Sequence, residues 1–167
     1  MLKEVNLSEL NVNPFHLIGK DWMLISAGDE QKYNMMTASW GGLGVMWGKN
    51  VATTVIRPQR YTLEFVDSKD FYALNFFGPE HKKALGYCGA NSGRDVDKTK
   101  ETGLTPVFDA NAPYFAEAKL VLICRKLFKQ QLDPNGFVEK DLDEHWYPEK
   151  DYHHAFVGEV VQVLVEA

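Results

Sequence analysis

Cysteine is scarce: Cys88 and Cys124 are the only two in 167 residues. They form no CxxC pair, which removes a disulfide framework and leaves two free thiols in a reducing compartment as the expectation. Cys124 ends the apolar run Leu120–Cys124 and reads as core. Cys88 reads as a buried bystander in a glycine-rich loop rather than a reactive thiol. No stretch reaches the roughly 18 apolar residues of a membrane span. The opening MLKEVNLSEL has neither an apolar signal core nor an arginine-rich amphipathic pattern, so a cytoplasmic location away from membranes is expected. Positive charge is also short. Eighteen Lys and Arg face 23 Asp and Glu, giving net −5 and a pI near 5.5, without the basic stripe of a nucleic-acid surface. Missing too are a GxGxxG between strand and helix, a Walker loop, a GxSxG elbow and any histidine pair at zincin spacing, so no metal is expected. Neither repeats nor linkers interrupt the chain, which is read as a single domain over 1–167.

What is present is apolar and aromatic. Hydrophobic residues make up 45% and aromatics 13%, with four Trp and ten Phe, enough for a core plus a ligand site or subunit contact. Trp22–Gly28, Tyr33–Trp40, the β-branched Val51–Ile56, Phe71–Phe77, Phe115–Cys124 (continuing through Arg125–Gln131) and Tyr152–Val165 read as strands. Ala118, Leu120, Leu122 and Cys124 are expected on one face. Gly41, Gly42 and Gly44 suggest a tight excursion, with a turn at Gly48–Asn50. Tyr61–Val66, Glu80–Leu85 and a segment ended by Gly103 suggest short helices, with a polar, glycine-rich loop over 86–97. Residues 132–146 are expected to make a surface excursion holding at most a short helix, and the run Asp141, Asp143, Glu144 a solvated face. Strands in adjacent pairs with few helices predict a mainly β fold, an antiparallel barrel rather than a doubly wound sheet.

Two clusters could carry chemistry. Val51–Ile56 stops at Arg57-Pro58, and Gln59, Arg60, Tyr61 and Thr62 follow, so the turn is dense in donors. Guanidinium forks match phosphate oxygens two at a time, although a solvated turn has the same composition. Ser92, Gly93, Arg94 and Lys98 form the second cluster, where Gly93 permits close backbone approach and a helix opening at Asp97–Lys100 adds a favourable field. Singly it reads as a surface loop. Together the two clusters suit a small phosphate-bearing ligand better than a polyanion. His153 and His154 stand at a strand start, where neighbours point to opposite faces, so one can reach a barrel mouth.

The segments MTASWGGLGVMWGKNVATTVIRPQRYT, CGANSGRDVDK with ETGLTP after it, and DYHHAFVGEVV, in this order, resemble the flavin reductase-like family of FMN-binding split β-barrels, in its flavoredoxin-like branch. The likeness spans about Trp22 to Val165. It implies a Greek-key-like split antiparallel barrel and a homodimer with FMN at the subunit boundary. By that likeness Thr37, Ala38, Ser39 and Trp40 meet the isoalloxazine edge, Arg57, Gln59, Arg60, Tyr61 and Thr62 take ribityl and phosphate, and Ser92, Gly93, Arg94 and Lys98 cover the phosphate. His153, five residues before Gly158, matches a histidine near flavin or nicotinamide. Ser39-Trp40 departs from the Asn-Ser of many flavin reductases. The implied activity is hydride transfer from NADH or NADPH to flavin, with no general acid or base side chain assigned. An electron-transfer flavoprotein fed by a partner, with a downstream acceptor protein, is the alternative. A non-enzymatic ligand-binding module is a further one.

Overall fold

The computed structural model describes residues 1–167. β1 (Leu2–Val5) leads to the short helix α1 (Pro14–His16), capped by Asn13, whose side chain accepts from the Phe15 and His16 amides. Then come β2 (Met23–Gly28), β3 (Tyr33–Ala38), β4 (Gly41–Met46), β5 (Lys49–Ile56), α2 (Thr62–Ser68), β6 (Phe71–Phe76), α3 (Lys82–Ala90) and α4 (Lys98–Thr102). β7 (Pro106–Val107) and β8 (Tyr114–Phe115) pair apart from the main sheet, and β9 (Leu120–Gln131), α5 (Lys140–Trp146) and β10 (His154–Glu166) complete the chain.

The main sheet is antiparallel, ordered β3-β2-β6-β9-β10-β5-β4, with β1 beside the far half of β10. Its outermost strands, β3 and β4, are joined by Ser39 and Trp40 alone. Three Cα steps span at most about 11 Å, whereas the edges of a flat seven-strand sheet lie about 29 Å apart. The sheet therefore curls until its edges meet. β3 and β4 share no ladder, so the barrel is split along that seam, and the expected antiparallel split barrel is what forms.

Period-two alternation sorts the core into two layers. Met23, Ile25 and Ala27 of β2, Tyr72, Leu74 and Phe76 of β6, and Leu120, Leu122 and Cys124 of β9 fill the interior. Leu24, Ala73, Val121 and Ile123 face outward, under Leu85 and Cys88 of α3 and the segment carrying Leu104, Ala112 and Phe115. β2, β6 and the first half of β9 are thus buried on both faces. Asn75 fastens the outer layer: its Nδ2 donates to the Leu24 carbonyl at 3.0 Å and Ser26 Oγ at 2.8 Å, and its Oδ1 accepts from the Phe115 amide.

Several expectations need correction. Gly41–Gly44 is not an excursion but part of β4, laddered to β5 from Gly41↔Thr54 onward. Glycine is needed at Gly41 because its φ is +141° and a Cβ would collide with the Thr53 carbonyl. The second turn is Trp47-Gly48, and β5 already begins at Lys49. The helix expected over Glu80–Leu85 runs instead from Lys82 to Ala90, so Cys88 lies in a helix and not in a loop. Gly89 is tolerated there because it packs directly against the Thr37 side chain. Ala118 precedes β9 and packs in the outer layer, apart from Leu120, Leu122 and Cys124.

Candidate functional site

The arginine turn is built by closing β5 directly into α2: the Arg60 amide donates to the Arg57 carbonyl at 3.1 Å and the Leu63 amide to the Arg60 carbonyl at 3.0 Å. The second turn lies between α3 and α4. The Asp95 and Val96 amides donate to the Ser92 carbonyl, and Asp97 caps α4 by accepting from the Lys100 amide at 3.1 Å. Asn34 of β3 stitches the two turns together. Its Nδ2 donates to Thr62 Oγ1 at 3.0 Å, while Gly93 lies so close to its Oδ1 that an added Cβ would collide. Both turns thus face one cleft of about 210 Å³, lined by Gln59, Arg60, Tyr61, Thr62, Ser92, Gly93 and Lys98.

Charge in this cleft is unbalanced. Lys98 is buried, and its ammonium donates to the carbonyls of Met35 at 2.8 Å and Cys88 at 2.9 Å. Arg60 donates to the Gly89 carbonyl at 2.8 Å and more weakly to that of Cys88. Neither cation has a carboxylate partner. Burial, which disfavours the charged form, brings Lys98 down to about 8, with nearby Arg60 acting in the same direction. Burial lowers Arg60 as well. Two adjacent cations, one buried and one half-buried, without an anion make a site that a doubly charged phosphate satisfies.

Arg60 also lines a second cleft of about 210 Å³ at the seam, with Thr37, Ala38, Ser39, Trp40, Arg57, Trp146 and His153. The two clefts therefore share Arg60 as a wall. Thr37 donates to the Leu85 carbonyl at 2.5 Å, fixing β3 to α3. Trp40 sits edge-on to Trp146 at 4.8 Å and beside His153 at 5.1 Å. Arg57 behaves differently from Arg60: it pairs with Asp151 at 2.6 Å, donates to the Trp146 carbonyl at 2.8 Å and lies over the Tyr147 ring at 5.0 Å. Gln59 donates to the same Asp151 oxygen at 2.8 Å. Those two hydrogen bonds hold the Asp151 carboxyl below its usual range. Arg57 and Gln59 thus fasten the 132–153 excursion over the seam.

The structure brings thirteen of the fourteen sequence-predicted residues to these two clefts. Arg94 stands apart. It pairs with Glu64, stacks over Tyr61 at 4.3 Å and lines a neighbouring groove. Asn34, Asn91, Trp146 and Asp151 were not singled out from sequence. Asn34 is the one with a local signal, a polar residue at an otherwise buried position of a strand. The others depend on docking of distant segments. Asp143, expected in a solvated face, instead accepts from Tyr152 Oη at 2.7 Å. A larger cavity of about 500 Å³ near the N-terminal segment is mostly apolar, and its His16 and Lys119 are both on Asp21. It offers no free cation for a phosphate.

A family profile described as flavin reductase like domain matches residues 15–167. A comparison with curated proteins found no match. Among solved structures, an FMN-binding domain of a flavin reductases-like enzyme from Shewanella baltica has a TM-score of 0.70 at 18% identity, covering 99% of this chain and 77% of that one. Flavoredoxin from Methanosarcina acetivorans has a TM-score of 0.69 at 22% identity, covering 87% and 68%. A structure described as a flavin reductase with a split barrel domain, from Shewanella frigidimarina, has a TM-score of 0.69 at 21% identity, covering 92% and 72%. At these identities the likeness speaks to the fold.

Proposed function

The chain belongs to the flavin reductase-like domain family, and from that premise we propose that it is an FMN-binding NAD(P)H:flavin oxidoreductase. The observation that carries this reading is a pair of cations, the half-buried Arg60 and the buried Lys98, left without a carboxylate in a cleft of hydroxyls and amides. Such a donor set fits a phosphate monoester and would hold the FMN phosphate together with Thr62, Ser92 and the backbone at Gly93. Gln59 and Tyr61 line the path from there. Thr37, Ala38, Ser39, Trp40 and His153 line the adjoining seam, where the ring would lie. FMN held there would supply the redox chemistry, as acceptor of a hydride from NADH or NADPH. The protein's part is to grip the phosphate, keep the ring against the aromatic wall, and restrict water and oxygen through the fastened 132–153 excursion.

A homodimer with FMN at the subunit boundary belongs to the same proposal, in a cytoplasmic setting. Its support is the exposed apolar end of the β4–β5 hairpin: Val45 and Met46 of β4 and Trp47 of the turn are exposed, and Trp47 lies 5.8 Å from the exposed Phe128. Sedimentation should show a dimer at micromolar concentration, and a monomer there removes this part. The direct test of function is an absorption spectrum of the purified protein with added FMN, then with NADH or NADPH under anaerobic conditions. Flavin binding followed by bleaching is expected. FMN bound but inert to both nucleotides, yet reduced by dithionite, would turn the reading to an electron carrier fed by a partner protein. Failure to bind FMN would remove the proposal.

A further inference from the structure

Tyr147 and His153 form a buried pair that the phosphate and ring assignments leave unexplained. Both side chains are almost wholly buried, and Tyr147 Oη lies 2.7 Å from His153 Nδ1. The phenol is protonated, since burial raises it above its ordinary value. Its hydrogen needs an acceptor, and the groups packed on Tyr147 are poor ones: the Arg57 guanidinium over its ring face, and Tyr152 and Phe137 beside it. Nδ1 is the acceptor within reach. If Nδ1 carried the hydrogen instead, the phenol would be left a buried donor with nowhere to donate, which is unfavourable. The remaining ring nitrogen, Nε2, has no protein partner and is not among the sealed polar atoms, so it is the edge that faces the seam cleft.

We propose that Tyr147 is a positioning residue that locks His153 in the Nε2–H tautomer, presenting an uncharged N–H donor to a carbonyl oxygen or ring nitrogen of the ligand in the seam. This deepens the flavin reading and rests on it for the ligand's identity. The surroundings keep that donor uncharged. Burial and the Arg57 cation hold His153 down to about 4, against the weaker pull of Asp151, while Trp40 and Tyr147 cover its ring with uncharged aromatic surface. A neutral N–H donor whose strength does not vary between pH 6 and 9 (rough bounds around neutrality) suits recognition of a carbonyl better than proton transfer does.

The test begins on flavin-free protein labelled with 15N, so it stands whether or not FMN binds. Long-range 15N–1H spectra, assigned by loss of signals in His153→Gln, should show one pyrrole-like Nε2 and one pyridine-like Nδ1. In Tyr147→Phe the two resonances should move toward each other as the tautomers mix, and the titration midpoint of His153 should rise, because the donor that favoured the neutral ring is gone. A protonated Nδ1 in the unaltered protein would overturn the proposal, as would a tautomer unchanged in Tyr147→Phe. With ligand, the same variant identifies the acceptor. A roughly fivefold weaker FMN Kd, the equivalent of one neutral hydrogen bond of about 1 kcal/mol, places it on the flavin. An unchanged FMN Kd with a raised KM for reduced nicotinamide places it on the carboxamide. No change in either constant would overturn the donor role.

Discussion

Arg57 and Arg60 leave the same turn three residues apart and meet opposite environments. Arg57 finds a carboxylate, Asp151, a carbonyl, Trp146, and an aromatic face, Tyr147, all on the excursion before β10. Arg60 finds two carbonyls on α3 and a second cation, the buried Lys98, but no acid. One guanidinium is satisfied within the protein and acts as a fastener. The other is held in position with its charge unspent, which is the condition of a group that awaits an anion. Residue type does not separate the two roles. What separates them is whether folding delivers a carboxylate.

That contrast can be broken most sharply at Arg60. Arg60→Ala should weaken FMN binding by about 1.5–3 kcal/mol, roughly 10- to 150-fold, the range for a hydrogen bond to a charged group, while leaving thermal stability of the flavin-free protein little changed. Fluorescence titration and a melting curve measure both; unchanged affinity would mean that the phosphate lies elsewhere. Gly93→Ala comes next, because its new Cβ must displace Asn34 Oδ1, and that buried side chain is held in place by its Nδ2, which donates to Thr62. A loss of about 1–3 kcal/mol is expected, as for overpacking at a rigid position, visible as a lower denaturation midpoint and weaker FMN binding together. Arg57→Ala should show the reverse of Arg60→Ala. It should lose about 1 kcal/mol of stability, as for a partly exposed hydrogen-bonded pair, speed proteolysis within 132–153, and change the FMN Kd less than Arg60→Ala does. Equal losses of affinity at the two arginines would abolish the distinction.

A pH dependence at Lys98 sharpens the same comparison. Its value in the folded protein is about 8, below the ordinary 10.5, so between these limits the unfolded chain binds the extra proton. Stability of the flavin-free protein should therefore gain from this group as pH rises from 8 to 10.5. FMN affinity should move the other way, falling above pH 8 as the ammonium that faces the phosphate is lost. Lys98→Met should flatten both trends relative to the unaltered protein, and trends that persist in the variant would assign them to other groups.

The strands are legible because the pattern is local: β2, β6 and the first half of β9, Leu120–Cys124, carry an apolar residue at nearly every position, the mark of strands buried on both faces. The two donor-rich turns were legible from proline, glycine and arginine placement. The reach of α3 through Gly86 to Ala90 was not, because glycine lowers helix propensity and only the packing of Gly89 on Thr37 reveals its use. Proximity in sequence groups Arg94 with the phosphate residues, yet it pairs with Glu64, 30 residues away. Trp146 and Asp151 carried no signal, since their roles exist only once the excursion lies over the seam.

The order of side chains along the chain determined a rolled antiparallel sheet, two turns rich in donors, and the absence of a nucleic-acid or dinucleotide motif, since each follows from neighbours within a few residues. Tertiary structure alone decided which cations remain free. Asp151 lies 94 residues from Arg57, and no local pattern reports whether a charge will meet its counterion across such a distance. Electrostatic pairing depends on separation in space and on burial, and both are set only when the sheet has closed on itself.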